Sequence, residues 1–175
     1  IFNTFNVERM FVDVVKEAKE KGYTEPDPRD DLSGTDVARK ILILARECGL
    51  KLELEDVENT PLLSPKALGA ASVEEFYKVL EEEDSAYAQR IQEAHAEGKR
   101  LRLIASYEDG KAKIGLSAVD ATHPFYALAG SENIVSFTTD RYEHNPLVIK
   151  GPGAGAEVTA MGVFADIISL SSFLA

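Results

Sequence analysis

A chain of 175 residues with 45% hydrophobic content is long enough for one domain, with a protruding segment allowed, and a chain of this size hides roughly two thirds of its unfolded surface. Its net charge of −11 argues against nucleic acid, which needs a basic face, and disfavours anionic membranes; the acidic balance serves to keep a soluble protein apart from its neighbours. The one cysteine, Cys48, excludes an intrachain disulfide and fits a reducing cytoplasm. No signal peptide is expected, and no apolar run long enough to span a bilayer, because Asp166 and several serines interrupt the longest apolar tract. The opening Ile1-Phe2-Asn3-Thr4-Phe5 has no initiator methionine and reads as part of a longer chain.

In chain order, Asn6 caps a helix predicted over Val7 to about Lys21, with Val7, Met10, Phe11, Val14, Val15 and Ala18 at helical spacing and Gly22 as its stop. Glu25-Pro26 and Asp27-Pro28 then impose extended backbone, since a residue before proline avoids the helical region. Ser33 or Asp31 starts a second helix to Cys48, stopped by Gly49, with Val37, Ile41, Leu44, Ala45 and Cys48 as its core face. Cys48 is read as buried filler.

Lys51 to Glu55 alternates as a short half-exposed strand, and Asn59 to Gly69, with Pro61 and Pro65, reads as loop. Helices follow over Val73 to Glu83 and, capped by Asp84, to Glu97. Leu101 to Tyr107 and Lys111 to Val119 are strands joined by an Asp109-Gly110 hairpin turn. Ile134 to Thr139 and Leu147 to Lys150 are two more strands. The glycine-rich turn Gly151-Pro152-Gly153-Ala154-Gly155 leads into a last helix from about Glu157 to Phe173. Helices, then strands, then a helix, without βαβ alternation, predict an α+β domain with a mixed, largely antiparallel sheet covered by helices.

Asp36 and Lys40 are four apart and share a helix face. Standing one position before Val37 and Ile41, they are expected to flank the buried stripe. Such a pair is either a solvated ion pair worth about a few tenths of a kcal/mol or a lysine set in a cleft to pass a proton to a carbonyl oxygen, with a carboxylate to orient it. Glu25, Asp30 and Asp31 either complement a helix dipole or converge on a substrate ammonium. Spacing leaves both readings open. The glycine-rich turn departs from the dinucleotide fingerprint and by itself is a turn that lets an anion or flat ring approach. His95 reads as solvated, His123 and His144 lie in loops, and no metal site is expected.

Residues 22 to 40, G-Y-T-E-P-D-P-R-D-D-L-S-G-T-D-V-A-R-K, closely resemble the signature of homoserine dehydrogenase. Residues 146 to 167, P-L-V-I-K-G-P-G-A-G-A-E-V-T-A-M-G-V-F-A-D-I, are similar to that family's C-terminal segment. The resemblance extends to the dehydrogenase portion of bifunctional aspartokinase–homoserine dehydrogenases. It implies an oxidoreductase of threonine and methionine biosynthesis that interconverts aspartate β-semialdehyde and L-homoserine with NADP or NAD. By that resemblance Lys40 is the proton donor, and Asp36 binds substrate and places the lysine. Glu25 and Asp31 bind substrate, and Gly22 and Gly155 contact cofactor.

The resemblance further implies that residues 1–175 are the substrate-binding and dimerisation domain. The N-terminal Rossmann domain and the sodium-binding loop would lie outside it. The chain alone is then expected to be inactive, to bind no cofactor tightly and to pair as a cytoplasmic homodimer through its sheet, with Ile114 named as a test position. Loss of the cofactor domain would also expose Val158, Phe164 and Ile168 on the last helix. The alternative is a non-enzymatic amino-acid-binding or oligomerisation module.

Overall fold

The computed structural model describes residues 1–153 and 155–174. Its backbone divides into two compact units, Ile1–Tyr126 and Ala127–Ala175. In the first, the order is α1 (Phe11–Glu20), α2 (Pro28–Leu32), α3 (Thr35–Glu47), β1 (Val57–Asn59), α4 (Pro65–Leu68), α5 (Val73–Glu82), α6 (Asp84–Ala96), β2 (Arg100–Glu108) and β3 (Lys111–Val119). In the second it is β4 (Glu132–Phe137), β5 (Leu147–Pro152) and α7 (Ala156–Leu174). The expected α+β class holds. The strands form two sheets, β1-β3-β2 with β1 parallel to β3, and the antiparallel pair β4-β5.

Long-range partners set the helix starts that local pattern misplaces. The first helix begins at Phe11, not Val7. The Asn6 side chain instead accepts from Glu8 N–H in a local turn (2.9 Å), and Val7 and Met10 are exposed. The carboxylate of Asp84, at the start of α6, accepts the Phe11 N–H at 2.9 Å, one of the donors a helix N-terminus leaves open. Asp84 therefore caps α1, while Glu83 stands at the cap of its own helix. Behind this join Phe11, Phe76 and Leu80 are fully buried, and Phe11 stacks on Tyr87 with ring centroids 4.4 Å apart.

Asp27 is extended as expected, and its carboxylate caps α2, with Pro28 at the first turn. This five-residue helix was not anticipated. Gly34, at φ +82°, then breaks the chain before α3. A side chain there would be strained, so the second long helix starts at Thr35, not at Asp31 or Ser33.

The buried line of α3 is Ala38, Leu42 and Ala45. Of the expected face, Ala45 lies on this line, while Val37, Ile41 and Leu44 are only half-buried and the line is shifted by one residue at Ala38 and Leu42. Cys48, expected inside, is exposed. Ala38 packs on Val57, Ala112 and Ile114 of the sheet, with Val37 and Ile41 at the edge of the same cluster.

Lys51 to Glu55 forms no strand. A 3-10 turn over Leu54–Asp56 precedes the strand Val57–Asn59, which pairs with β3. The predicted loop from Asn59 contains α4, capped by Ser64. The β2–β3 hairpin turns at Asp109 and Gly110, both at positive φ (50° and 80°), as a two-residue hairpin requires. Ile114 is 2% exposed beneath α3, so a charge there would break the core and cannot report on an interface. The opposite face of this sheet, with Ile104, Ser106, Gly115 and Ser117, is half-buried to exposed.

In the second unit Ala154 of the glycine-rich turn lies outside the described residues. The α7 helix corrects the expectation of no bilayer-length apolar run: Ala156–Phe173 is long and apolar enough by length and composition. Its serines do not interrupt it, because Ser169 Oγ donates to the Ala165 carbonyl (2.9 Å) and Ser171 and Ser172 to that of Ile168 (2.7 and 3.2 Å). Their hydroxyls are satisfied within the helix. Val158, Phe164 and Ile168 are exposed, in agreement with expectation.

Candidate active site

The site grows from the corner between α2 and α3. Arg29 fixes α2. Its Nε donates to both Asp27 oxygens (2.9 and 3.0 Å), and its guanidinium also reaches the Ala70 carbonyl and lies 5.9 Å from the Phe76 ring centre. The Arg29 hydrogen bond holds the Asp27 carboxyl below the usual carboxylate range. Arg29 belongs to the site's frame, and no sequence signal pointed to it beyond its place in the quoted segment.

Asp31, on the last turn of α2, turns back toward the incoming chain. Its Oδ2 accepts the Glu25 N–H at 2.9 Å. Partial burial pushes its carboxyl up from the ordinary range. The charges of Glu25 and Asp36 push the same way, while backbone N–H groups of Glu25 and Asp31 oppose them. One turn into α3, Asp36 Oδ2 lies 2.8 Å from Lys40 Nζ. Two contacts thus flank the α2–α3 corner: Asp31 accepts the Glu25 backbone N–H on one side, and an ion pair joins Asp36 to Lys40 on the other.

Lys40 and Asp36 were expected to flank the buried stripe. With α3 turned by one residue they are exposed, 59% and 54% by side chain. Proton transfer to a carbonyl needs water excluded around the donor. The walls that would do so are not among the described residues of this corner. A cavity of about 370 Å³ opens elsewhere, where Arg90 and Glu93 face Leu101 and Leu116.

Gly22 closes α1 at φ +69°, and Gly155 stands just before α7 at φ +122°. A side chain at either would meet open space, so both leave room for a flat ring to approach. Gly155 belongs to the second unit and is described there alone. Gly153 has no such room, since an added Cβ would overlap the Asn133 amide. No βαβ unit occurs among the described residues. The same open space surrounds Gly49, Gly98 and Gly110, so it does not by itself mark a cofactor contact, and the body of a dinucleotide would need another domain.

The fold places the chain among α+β domains built on small sheets. The family model for homoserine dehydrogenase matches residues 1–168, and the chain belongs to that family. It is 51% identical over 176 residues to the chloroplastic bifunctional aspartokinase/homoserine dehydrogenase 1 of Zea mays, covering 99% of this chain and 19% of that protein. It is 47% identical to the homoserine dehydrogenase of Schizosaccharomyces pombe, covering 93% of this chain and 44% of that one. Among solved structures, a Candida auris protein of unknown function matches with a TM-score of 0.87 at 44% identity, over 98% of this chain and 49% of its own. The Staphylococcus aureus homoserine dehydrogenase matches at 0.67 and 25% identity, over 95% and 38%. The chain therefore spans about a fifth of its bifunctional relatives and less than half of the shorter one.

Proposed function

We propose that this chain is the substrate-binding and catalytic portion of a homoserine dehydrogenase that interconverts aspartate β-semialdehyde and L-homoserine. The observation that carries the reading is the Asp36–Lys40 ion pair beside the α2–α3 corner, with Asp31 holding the Glu25 backbone on the other side, inside the segment that resembles the family signature. Carboxylates on either side of the corner together with one lysine suit a zwitterion. Glu25 and Asp31 receive the substrate ammonium, and Asp36, 2.8 Å from the Lys40 Nζ, aims it.

When bound, a nicotinamide cofactor, NAD or NADP, supplies the hydride. Lys40 gives the carbonyl oxygen its proton in the reducing direction and takes it back from the hydroxyl in the oxidising one. Gly22 and Gly155 are each assigned a cofactor contact by the family resemblance, in their own units. Because the corner is open to solvent and lacks the body of a dinucleotide site, the chain alone is inactive and holds no cofactor tightly.

The partner reading is a homodimer through the open face of the β2–β3 sheet, where a second copy would cover Ile104 and Gly115. We place the protein in the cytoplasm. The plant relatives are chloroplastic by name, and fractionation of the source cells distinguishes the two.

The test is homoserine oxidation by the full-length protein carrying this chain, wild type beside Lys40→Ala. Loss of about a hundredfold or more in kcat is expected for removal of a general acid. An indifferent Lys40→Ala, or an inactive parent, would leave a non-enzymatic amino-acid-binding module as the better reading.

A further inference from the structure

We propose that Asn59 is a positioning residue for the dehydrogenase reaction, clamping the α2–α3 corner to the sheet so that the acids on α2 and the lysine on α3 keep their mutual geometry. The inference rests on the function proposed above. Asn59 ends β1, and its backbone is in register with Ile114 of β3. The next residue continues the pairing, with Thr60 N–H donating to the Ile114 carbonyl at 2.9 Å. The side chain therefore projects from a strand whose neighbour is anchored in the core.

From there the Asn59 Nδ2 donates to the Ser33 carbonyl at 2.7 Å. Its amide also lies against Gly34: a Cβ built on that glycine would stand 2.9 Å from Oδ1, 3.0 Å from Nδ2 and 3.3 Å from Cγ. Ser33 and Gly34 are the whole link between Leu32, which ends α2, and Thr35, which starts α3. The Ser33 hydroxyl is meanwhile turned inward, donating to the Asp30 carbonyl (3.0 Å) and accepting from Thr35 N–H (3.2 Å). The corner's local bonds set each helix end, and Asn59 is the contact that ties the link itself to the sheet.

Asp31 lies two residues before Ser33, and Asp36 two residues after Gly34, with Lys40 one turn further on. A change in the angle at the link moves Asp31 relative to Asp36 and Lys40 with no loss of either helix. Misplacement of about 1 Å is enough to cost around a hundredfold in rate, so a clamp with little influence on folding has leverage on the chemistry.

The test compares wild type, Asn59→Ala, Asn59→Asp and Lys40→Ala in the full-length protein, with kcat, both KM values and the unfolding midpoint recorded. Asn59→Asp keeps the shape but sets an oxygen against the Ser33 carbonyl, so it breaks the clamp without a cavity. Expected for both Asn59 variants is a fall in kcat of about ten- to hundredfold, with KM for the nucleotide unchanged and the midpoint within a few degrees of wild type. A purely structural role would lower the midpoint and leave kcat at wild-type level well below it. That result, or failure of both variants to fold, overturns the clamp. If Lys40→Ala is dead while both Asn59 variants match wild type, the clamp falls and the proposed function stands. An inactive wild type sinks both.

Discussion

Asp31 is held at the α2–α3 corner against its own preference for water. Burial and the charges of Glu25 and Asp36 raise its carboxyl pKa, so the folded protein binds the Asp31 proton more tightly than the unfolded chain does. The contribution of such a group to stability is full at acid pH and is lost as pH rises through the folded pKa. Asp31→Asn removes the charge while keeping an oxygen for the Glu25 N–H. The variant is expected to unfold at a higher temperature than wild type at pH 7 to 8. The gap should close as pH falls below the usual carboxylate range, about 4. The same change takes away an anionic partner for the substrate ammonium, so KM for homoserine rises in the full-length enzyme. Melting curves across pH check the first point, and a gap that ignores pH would refute it. The acidic residues of the candidate site were proposed from the sequence through the family signature. Their exposure was not, because the rotation of α3 depends on how closely Ala38 packs on the sheet.

At the scale of elements, what escaped the sequence shares a cause. Asn6 looked like a helix cap, yet α1 starts where a carboxylate 73 residues away reaches Phe11. Asp84 looked like the cap of its own helix and serves another. The strand at Val57–Asn59 exists because β3 offers it an edge, whereas the better alternation at Lys51 to Glu55 has no partner. Patterns that close locally were read correctly: the Asp109-Gly110 hairpin, the helix from Val73 and the stop at Gly22 depend on neighbours in sequence. Asp84→Ala tests the long-range cap. It is expected to destabilise the first unit by about 1 kcal/mol, the usual cost of losing a cap, which is a few degrees of midpoint for a chain of this size. Asp84→Asn, which keeps an acceptor, should cost less. Denaturant unfolding of the two variants measures the difference, and equal losses would mean that charge alone matters at that position.

Over the whole molecule the feature hardest to reconcile with an isolated soluble chain is α7. Met161, Phe164, Ile167 and Phe173 are each more than half exposed, and a helix apolar around its circumference is ordinarily buried in a larger body. Relatives that are two to five times longer supply a place for one. Contiguous apolar surface of this kind drives association when left uncovered. The chain prepared by itself is therefore expected to show a mass by light scattering that climbs beyond that of a dimer as concentration rises. Phe164→Glu with Ile168→Glu should flatten that climb to a constant value, since two charges on adjacent turns break the apolar surface. The full-length protein should not climb at all. The test also separates two kinds of contact. A plateau at the dimer in the doubly charged variant leaves the β2–β3 face as the pairing surface, and adding Ile104→Glu should then reduce it to one chain. If the wild-type and doubly charged chains follow the same curve, α7 is not what brings copies together.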